Sequence, residues 1–103
     1  MKEDLLKIIK HYGVNAQQRQ LAEEVFELQE AITKTEDVYE KTVLFKDYLS
    51  NLKTNIAEEI ADVTVIISQF IHYYGLDDEE IYKIADYKIK RQLERIKNEV
   101  KER

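Results

Sequence analysis

The feature that most constrains this chain is its lack of helix-interrupting residues: its 103 residues include no proline and only two glycines. β-rich folds need many tight turns, and such turns depend on these two residue types. Helices tolerate the remaining composition well. Gly13 and Gly75 each follow an amphipathic run, so each predicts the end of a helix. We expect an all-α protein.

Apolar periodicity and three capping-box patterns divide the chain into helices. The patterns begin at Asn15, Asn55 and Asp77, each followed three residues later by Gln or Glu. Between the first two, a weaker apolar pattern predicts another helix. The predicted segments are 3–12, 16–33, 37–52, 56–74 and 78–101, forming a bundle of four main helices and a short extra helix. No linker interrupts them, so we expect a single domain over 1–103 that oligomerises to cover its apolar surface.

Charge and cysteine content narrow the function. The net charge is −5, which disfavours binding to nucleic acid or an anionic membrane, because both are recognised mainly through Lys and Arg. The absence of cysteine excludes disulfides and thiolate metal sites. No uncharged apolar stretch reaches the roughly 18 residues of a membrane span, and the charged N-terminal residues do not resemble a signal peptide. We predict a cytoplasmic protein that binds anionic ligands through cations or a basic patch.

An internal repeat contains the acidic residues that are the main candidates for a functional site. Residues 23–28 read EEVFEL and residues 58–63 read EEIADV, both with the pattern acid-acid-apolar-x-acid-apolar. On a helical wheel each motif places two acids, one turn apart, at the edge of an apolar stripe. The predicted stripes are Leu21, Val25, Leu28 and Ile32 in one helix, and Ile56, Ile60, Val63, Ile67 and Tyr74 in the other. If these helices pack antiparallel, Glu24, Glu27, Glu59 and Asp62 converge beside the core.

Four converging carboxylates repel one another, so they must protonate, pair with Lys or Arg, or bind a cation. Oxygen-only ligands without His or Cys suit Mg²⁺, Mn²⁺ or Ca²⁺ rather than Zn²⁺. The simpler alternative is a solvated acidic helix edge, which is common on acidic chains. Two motifs in matching register favour the metal site over that alternative.

These motifs resemble the signature of the MazG-like all-α NTP pyrophosphohydrolases, which have ExxE on one helix and ExxD on a later one. The resemblance covers roughly residues 15–96 and includes a basic segment at 88–95. It implies a (d)NTP substrate cleaved by water to the (d)NMP and pyrophosphate. It also implies Mg²⁺, with Mn²⁺ as an alternative, and a homodimer or homotetramer. The implied metal-binding and catalytic residues are Glu24, Glu27, Glu59 and Asp62.

Substrate-binding candidates lie outside the acidic motifs. Lys88, Arg91 and Arg95 share one stripe of the last helix and could clamp a polyphosphate. A solvated face, or pairing with the four carboxylates, explains the same stripe. Gln18 could reach a base or a phosphate, although a capping role explains it equally well. Of the spare acids Glu23, Glu30 and Glu58, one could orient the attacking water, although each is individually more typical of a solvated helix face.

Two alternatives to this function stay open. One is a related all-α enzyme, such as a dUTPase or a phosphoribosyl-ATP pyrophosphohydrolase. The other is a non-catalytic helical interaction module whose acids bind a basic partner. The helix predicted at 56–74 is apolar nearly all round, with Val65 opposite its predicted core stripe, and this pattern indicates a subunit interface.

Overall fold

A computed structural model describes residues 1–41 and 46–102 of the chain. It contains helices α1 (Lys2–Tyr12), α2 (Val14–Lys41), α3 (Lys46–Tyr73) and α4 (Asp78–Glu102), and these ranges hold no β-strand. The prediction of an all-α protein is therefore confirmed. None of the described helices is both long enough and apolar enough to cross a membrane.

The predicted helix ends at the two glycines and at Asp77 are confirmed. Gly13 and Gly75 adopt φ values of 91° and 63°, a region that residues with a Cβ rarely occupy. The N–H of Gly13 donates to the carbonyl of Ile9, which ends α1. The Asp77 carboxylate accepts a hydrogen bond of 3.0 Å from the backbone N–H of Glu79, and this interaction caps the start of α4.

The prediction of a separate helix over 37–52 is wrong. Residues 37–41 continue α2 and residues 46–52 begin α3, while 42–45 lie outside the described residues. Thr35 and Thr54, near the predicted breaks, lie inside α2 and α3, and their Oγ1 atoms donate to the carbonyls four residues earlier. Asn55 consequently lies inside α3 and does not cap a helix.

The predicted capping box at Asn15 and Gln18 is also wrong. The carbonyl of Gly13 accepts the N–H of Gln17 at 3.1 Å, so the first bond of α2 forms before Asn15 could act as a cap. Gly13 thus ends one helix and immediately precedes the next. Its freedom to adopt a positive φ makes this abrupt connection possible.

The chain divides into two units, Met1–Tyr73 and Tyr74–Arg103. In the first, α1, α2 and α3 contact one another. Its buried apolar side chains are Leu5, Ile9, Ala31, Leu52 and Ile66. Three polar side chains, Gln17, Thr35 and Gln69, are buried with them. Among the described residues, polar side chains therefore form part of the core.

Helices α2 and α3 run antiparallel and meet through a different face from the predicted one. The line of α2 that is buried or half-buried contains Gln17, Leu21, Glu24, Leu28, Ala31 and Thr35. The matching line of α3 contains Leu52, Ile56, Glu59, Val63, Ile66 and Phe70. At 100° per residue, both helices are rotated by about 50° from the predicted stripes, toward the acidic edge.

This rotation leaves apolar side chains of both helices in solvent. Val25 and Ile32 of α2 are 37% and 44% exposed, although the sequence predicts them in the core. Ile60 and Ile67 of α3 are likewise 49% and 45% exposed. The apolar arc of each helix is wider than a single neighbouring helix can cover. One part of the arc is buried within the unit and the rest is left at the surface.

Helix α4 belongs to the second unit. Its side chains from 78 to 101 are exposed, including apolar ones such as Ile89 and Leu93. Lys90 and Asp86 form an exposed i,i+4 salt bridge of 2.8 Å, which adds little stability to the helix. The single domain over 1–103 stays a prediction.

Candidate metal centre and adjoining groove

Three of the four predicted carboxylates come together between α2 and α3. Oxygen atoms of Glu24, Glu27 and Glu59 all lie within 4.8 Å of one another. The i,i+3 spacing places Glu24 and Glu27 on one side of α2, and the antiparallel α3 brings Glu59 to the same level. We call these three residues the carboxylate cluster.

Glu24 and Glu59 are the inner members of the cluster, because both lie on the rotated contact lines of their helices. Each side chain is half-buried. Among the described residues, the Oε2 atom of each is buried without a hydrogen-bond partner. A buried carboxylate oxygen without a donor is costly, and a cation is one way to satisfy it.

Gln20 holds the inner carboxylate of α2. Its Nε2 donates a hydrogen bond of 2.8 Å to Oε1 of Glu24, four residues later on the same helix. Oε1 is thus occupied, while Oε2 is the buried, unpartnered atom. Gln20 is not among the site residues predicted from the sequence, although an amide one turn before an acid is a recognisable pattern.

Glu27 is the exposed member of the cluster. Repulsion by the charge of Glu24 raises the pKa of the Glu27 carboxyl above its ordinary value, with smaller contributions from burial and from Glu59. The same repulsion means that a cation at the cluster would relieve unfavourable charge. The donor set contains only carboxylate oxygens, which fits Mg²⁺ or Mn²⁺ and does not favour Zn²⁺.

The fourth predicted ligand, Asp62, lies outside the cluster. It follows Glu59 by one turn of α3, and its side chain is exposed. Three residues correspond to an axial rise of about 4.5 Å, so the two acids are neighbours on one side of the helix. In this structure the cluster has three members, and Asp62 stands next to it.

An open groove of about 600 Å³ adjoins the cluster, within the first unit. Ten described residues of α2 and α3 line it, and two of these, Glu27 and Glu59, belong to the cluster. Phe26, Glu30 and Lys34 of α2 and Asn55 of α3 also line it. Its volume falls in the range of sites for molecules of nucleotide size. The sequence did not predict Lys34 or Asn55, since only the pairing of the two helices makes them neighbours.

The predicted substrate-binding residues have other positions. Gln18 is exposed, and its side chain makes no hydrogen bond to the described residues. Its neighbour Gln17 is buried instead, and donates a hydrogen bond of 2.7 Å from Nε2 to Oε1 of Gln69. This amide pair links the beginning of α2 to the end of α3.

The predicted basic stripe lies on α4. Lys88, Arg91 and Arg95 are exposed there, as expected for side chains that could bind an anion. The guanidinium of Arg91 lies over the ring of Tyr87, 5.8 Å from its centroid. Such a contact restrains the guanidinium without using its hydrogen-bond donors.

No protein-family model, curated protein or solved structure matches this chain.

Proposed function

We propose that the protein is a Mg²⁺-dependent nucleoside triphosphate pyrophosphohydrolase, which converts a (d)NTP and water into the (d)NMP and pyrophosphate. The observation that supports this most is the carboxylate cluster, in which two buried oxygens of Glu24 and Glu59 have no described hydrogen-bond partner. A groove of nucleotide size beside the cluster is consistent with such a substrate. The reaction class, with cleavage at the α-phosphorus, rests on the MazG-like motifs.

In this proposal, Glu24, Glu27 and Glu59 hold Mg²⁺, with Mn²⁺ as an alternative. Asp62 becomes the fourth ligand through a change of side-chain rotamer, since it lies one turn from Glu59. When bound, the cation supplies Lewis acidity and neutralises the phosphate chain. Gln20 keeps the Glu24 carboxylate in place through its hydrogen bond to Oε1.

Glu30 is the proposed proton acceptor. It follows Glu27 by one turn and lines the groove, whereas the other spare acids, Glu23 and Glu58, do not line it. The oxygen of the attacking water bonds to the α-phosphorus as the bond to the pyrophosphate oxygen breaks. The proton of the water passes to the Glu30 carboxylate. That Lys88, Arg91 and Arg95 of α4 bind the phosphates of the substrate stays a prediction from the MazG-like motifs.

The protein acts as a homodimer or homotetramer in this proposal. The support is the apolar surface of α2 and α3, which includes Val25, Ile32, Ile60 and Ile67. Adjacent exposed apolar side chains on a small protein are typical of a subunit interface.

A panel of (deoxy)nucleoside triphosphates with Mg²⁺, with products separated by chromatography, tests the reaction. We expect monophosphate and pyrophosphate. Glu59→Gln should lower turnover by about 100-fold or more, a typical loss when one group that stabilises transition-state charge is removed. Glu58→Gln is the matched control, because Glu58 is the adjacent acid and lies outside the cluster.

Three results would contradict the proposal. Diphosphate and orthophosphate as products would exclude α-cleavage. Wild-type turnover in Glu59→Gln would exclude the cluster as the site. A panel that is neither bound nor hydrolysed would favour an interaction module, while hydrolysis of diphosphates as well would favour a dUTPase-like enzyme.

A further inference from the structure

The groove is lined by a lysine side chain that the acidic motifs do not explain. Of the ten described residues that line it, Lys34 alone is positively charged, and four others are acidic: Glu27, Glu30, Asp37 and Glu59. A lysine in such surroundings is expected to pair with a neighbouring carboxylate, and Glu30 lies at the favourable i−4 position. The local charge pattern therefore predicts an ion pair on α2.

That ion pair is not formed. In the described part of the chain, no carboxylate oxygen lies within 4.0 Å of the Lys34 ammonium, although Glu30 and Asp37 stand one turn before and after it. The side chain is exposed to the groove, and the described residues occupy none of its three N–H donors. An anion that enters the groove would meet this ammonium without first breaking an ion pair.

The distance between Lys34 and the carboxylate cluster favours an extended anion over a compact one. Lys34 follows Glu27 by seven residues, so both lie on the same side of α2, about 10.5 Å apart along the axis. The lysine side chain is long and flexible, and it can reach back along the helix toward the cluster. The space between the two residues suits an extended polyphosphate, with one end at the carboxylate cluster and the other near Lys34.

We propose that Lys34 binds the terminal phosphates of the substrate, so that the polyphosphate lies along α2 from the carboxylate cluster toward the end of the helix. This proposal rests on the proposed function for the identity of the substrate. Lys34 thereby offsets part of the negative charge of the groove, in which Glu30 and Asp37 flank the bound anion. It acts in binding, and the leaving pyrophosphate remains in contact with it after cleavage.

Lys34→Gln tests this role, with Lys7→Gln as the control, because Lys7 is an exposed lysine of α1 and both variants lose one positive charge. The affinity for inorganic tripolyphosphate with Mg²⁺, measured by calorimetry, should fall about tenfold or more in Lys34→Gln, as expected for a lost charge-assisted hydrogen bond. KM for the nucleoside triphosphate should rise similarly. Lys34→Arg should restore most of the affinity, and Lys7→Gln should match the wild type in both assays.

The outcomes separate the two proposals. If the wild type hydrolyses nucleotides and Lys34→Gln keeps both its KM and its tripolyphosphate affinity, the role of Lys34 is refuted and the proposed function stands. If the wild type neither binds nor hydrolyses any nucleotide, the proposed function is refuted. Binding of tripolyphosphate by such a protein, lost in Lys34→Gln, would then support Lys34 as part of a polyphosphate site without hydrolysis.

Discussion

The buried amide pair Gln17–Gln69 offers a sharp test of the packing that forms the carboxylate cluster. The two side chains are 7% and 2% exposed, and their hydrogen bond of 2.7 Å joins the contact faces of α2 and α3. Gln17 precedes Glu24 by two turns, so this bond helps to fix the register that brings Glu24 to Glu59. We therefore predict strong energetic coupling between the two glutamines.

The magnitude follows from burial. Gln17→Leu removes the donor to Oε1 of Gln69 and leaves that buried oxygen without it, at a cost of about 1–3 kcal/mol. Gln69→Leu should cost a similar amount for the same reason. In the double variant two leucines of similar size replace the polar pair, and the net change should be close to zero. The coupling free energy, which is the change in the double variant minus the two single costs, should thus reach about 2–6 kcal/mol, with the opposite sign to the single costs.

Urea denaturation of the wild type, both single variants and the double variant measures this coupling. Each kcal/mol should also lower the melting temperature by about 4–8 °C for a protein of this size. Additive losses in the double variant would refute the reasoning. They would mean that the two amides are energetically independent and do not fix the register of α2 against α3.

Three further predictions concern the cluster and the exposed apolar surface. Gln20→Leu should weaken Mg²⁺ binding about 10–100-fold, because Glu24 loses the hydrogen-bond donor that orients its carboxylate. Gln18→Leu, at an exposed position, should leave Mg²⁺ binding unchanged. Calorimetric titration with Mg²⁺ compares the two variants, and equal affinities would exclude this role of Gln20. Glu27→Gln should raise the melting temperature of the metal-free protein at neutral pH. Because the pKa of Glu27 is raised in the folded state, the folded protein binds more protons than the unfolded one at pH values between the ordinary and the raised pKa. The destabilisation caused by the ionised Glu27 carboxylate is therefore absent at low pH and grows as the pH rises. Melts in a chelator should show this advantage shrinking as the pH falls to the ordinary glutamate pKa, and a difference independent of pH would contradict it. Val65→Lys should weaken self-association, because Val65 is 46% exposed on α3 and an interface would bury the ammonium; sedimentation measures this, and a monomeric wild type would remove its basis.

Much of the local structure was readable from the sequence. The absence of proline and the two glycines predicted an all-α chain, and Gly13, Gly75 and Asp77 marked helix ends where the structure has them. These features depend on backbone preferences of single residues and their immediate neighbours. The helix starts predicted at Asn15 and Asn55 are wrong, because the cost of Asn inside a helix, at most about 0.7 kcal/mol relative to Ala, is too small to begin or end a helix by itself.

The spacing of the candidate acids along each helix was predictable from the sequence, but their arrangement between the two helices was not. The sequence alone determined that Glu24 and Glu27 share one side of a helix, and that Glu59 and Asp62 do the same, since i,i+3 spacing follows from helical geometry. Only the tertiary structure decided that Glu59 joins the cluster while Asp62 stands beside it, that Gln17 rather than Gln18 links α2 to α3, and that Lys34 lines the groove. A helical wheel shows which side of a helix is apolar, whereas the neighbouring helix determines how much of that side is covered. Here α2 and α3 meet about 50° from their most apolar lines, and that rotation turns Glu24 and Glu59 inward.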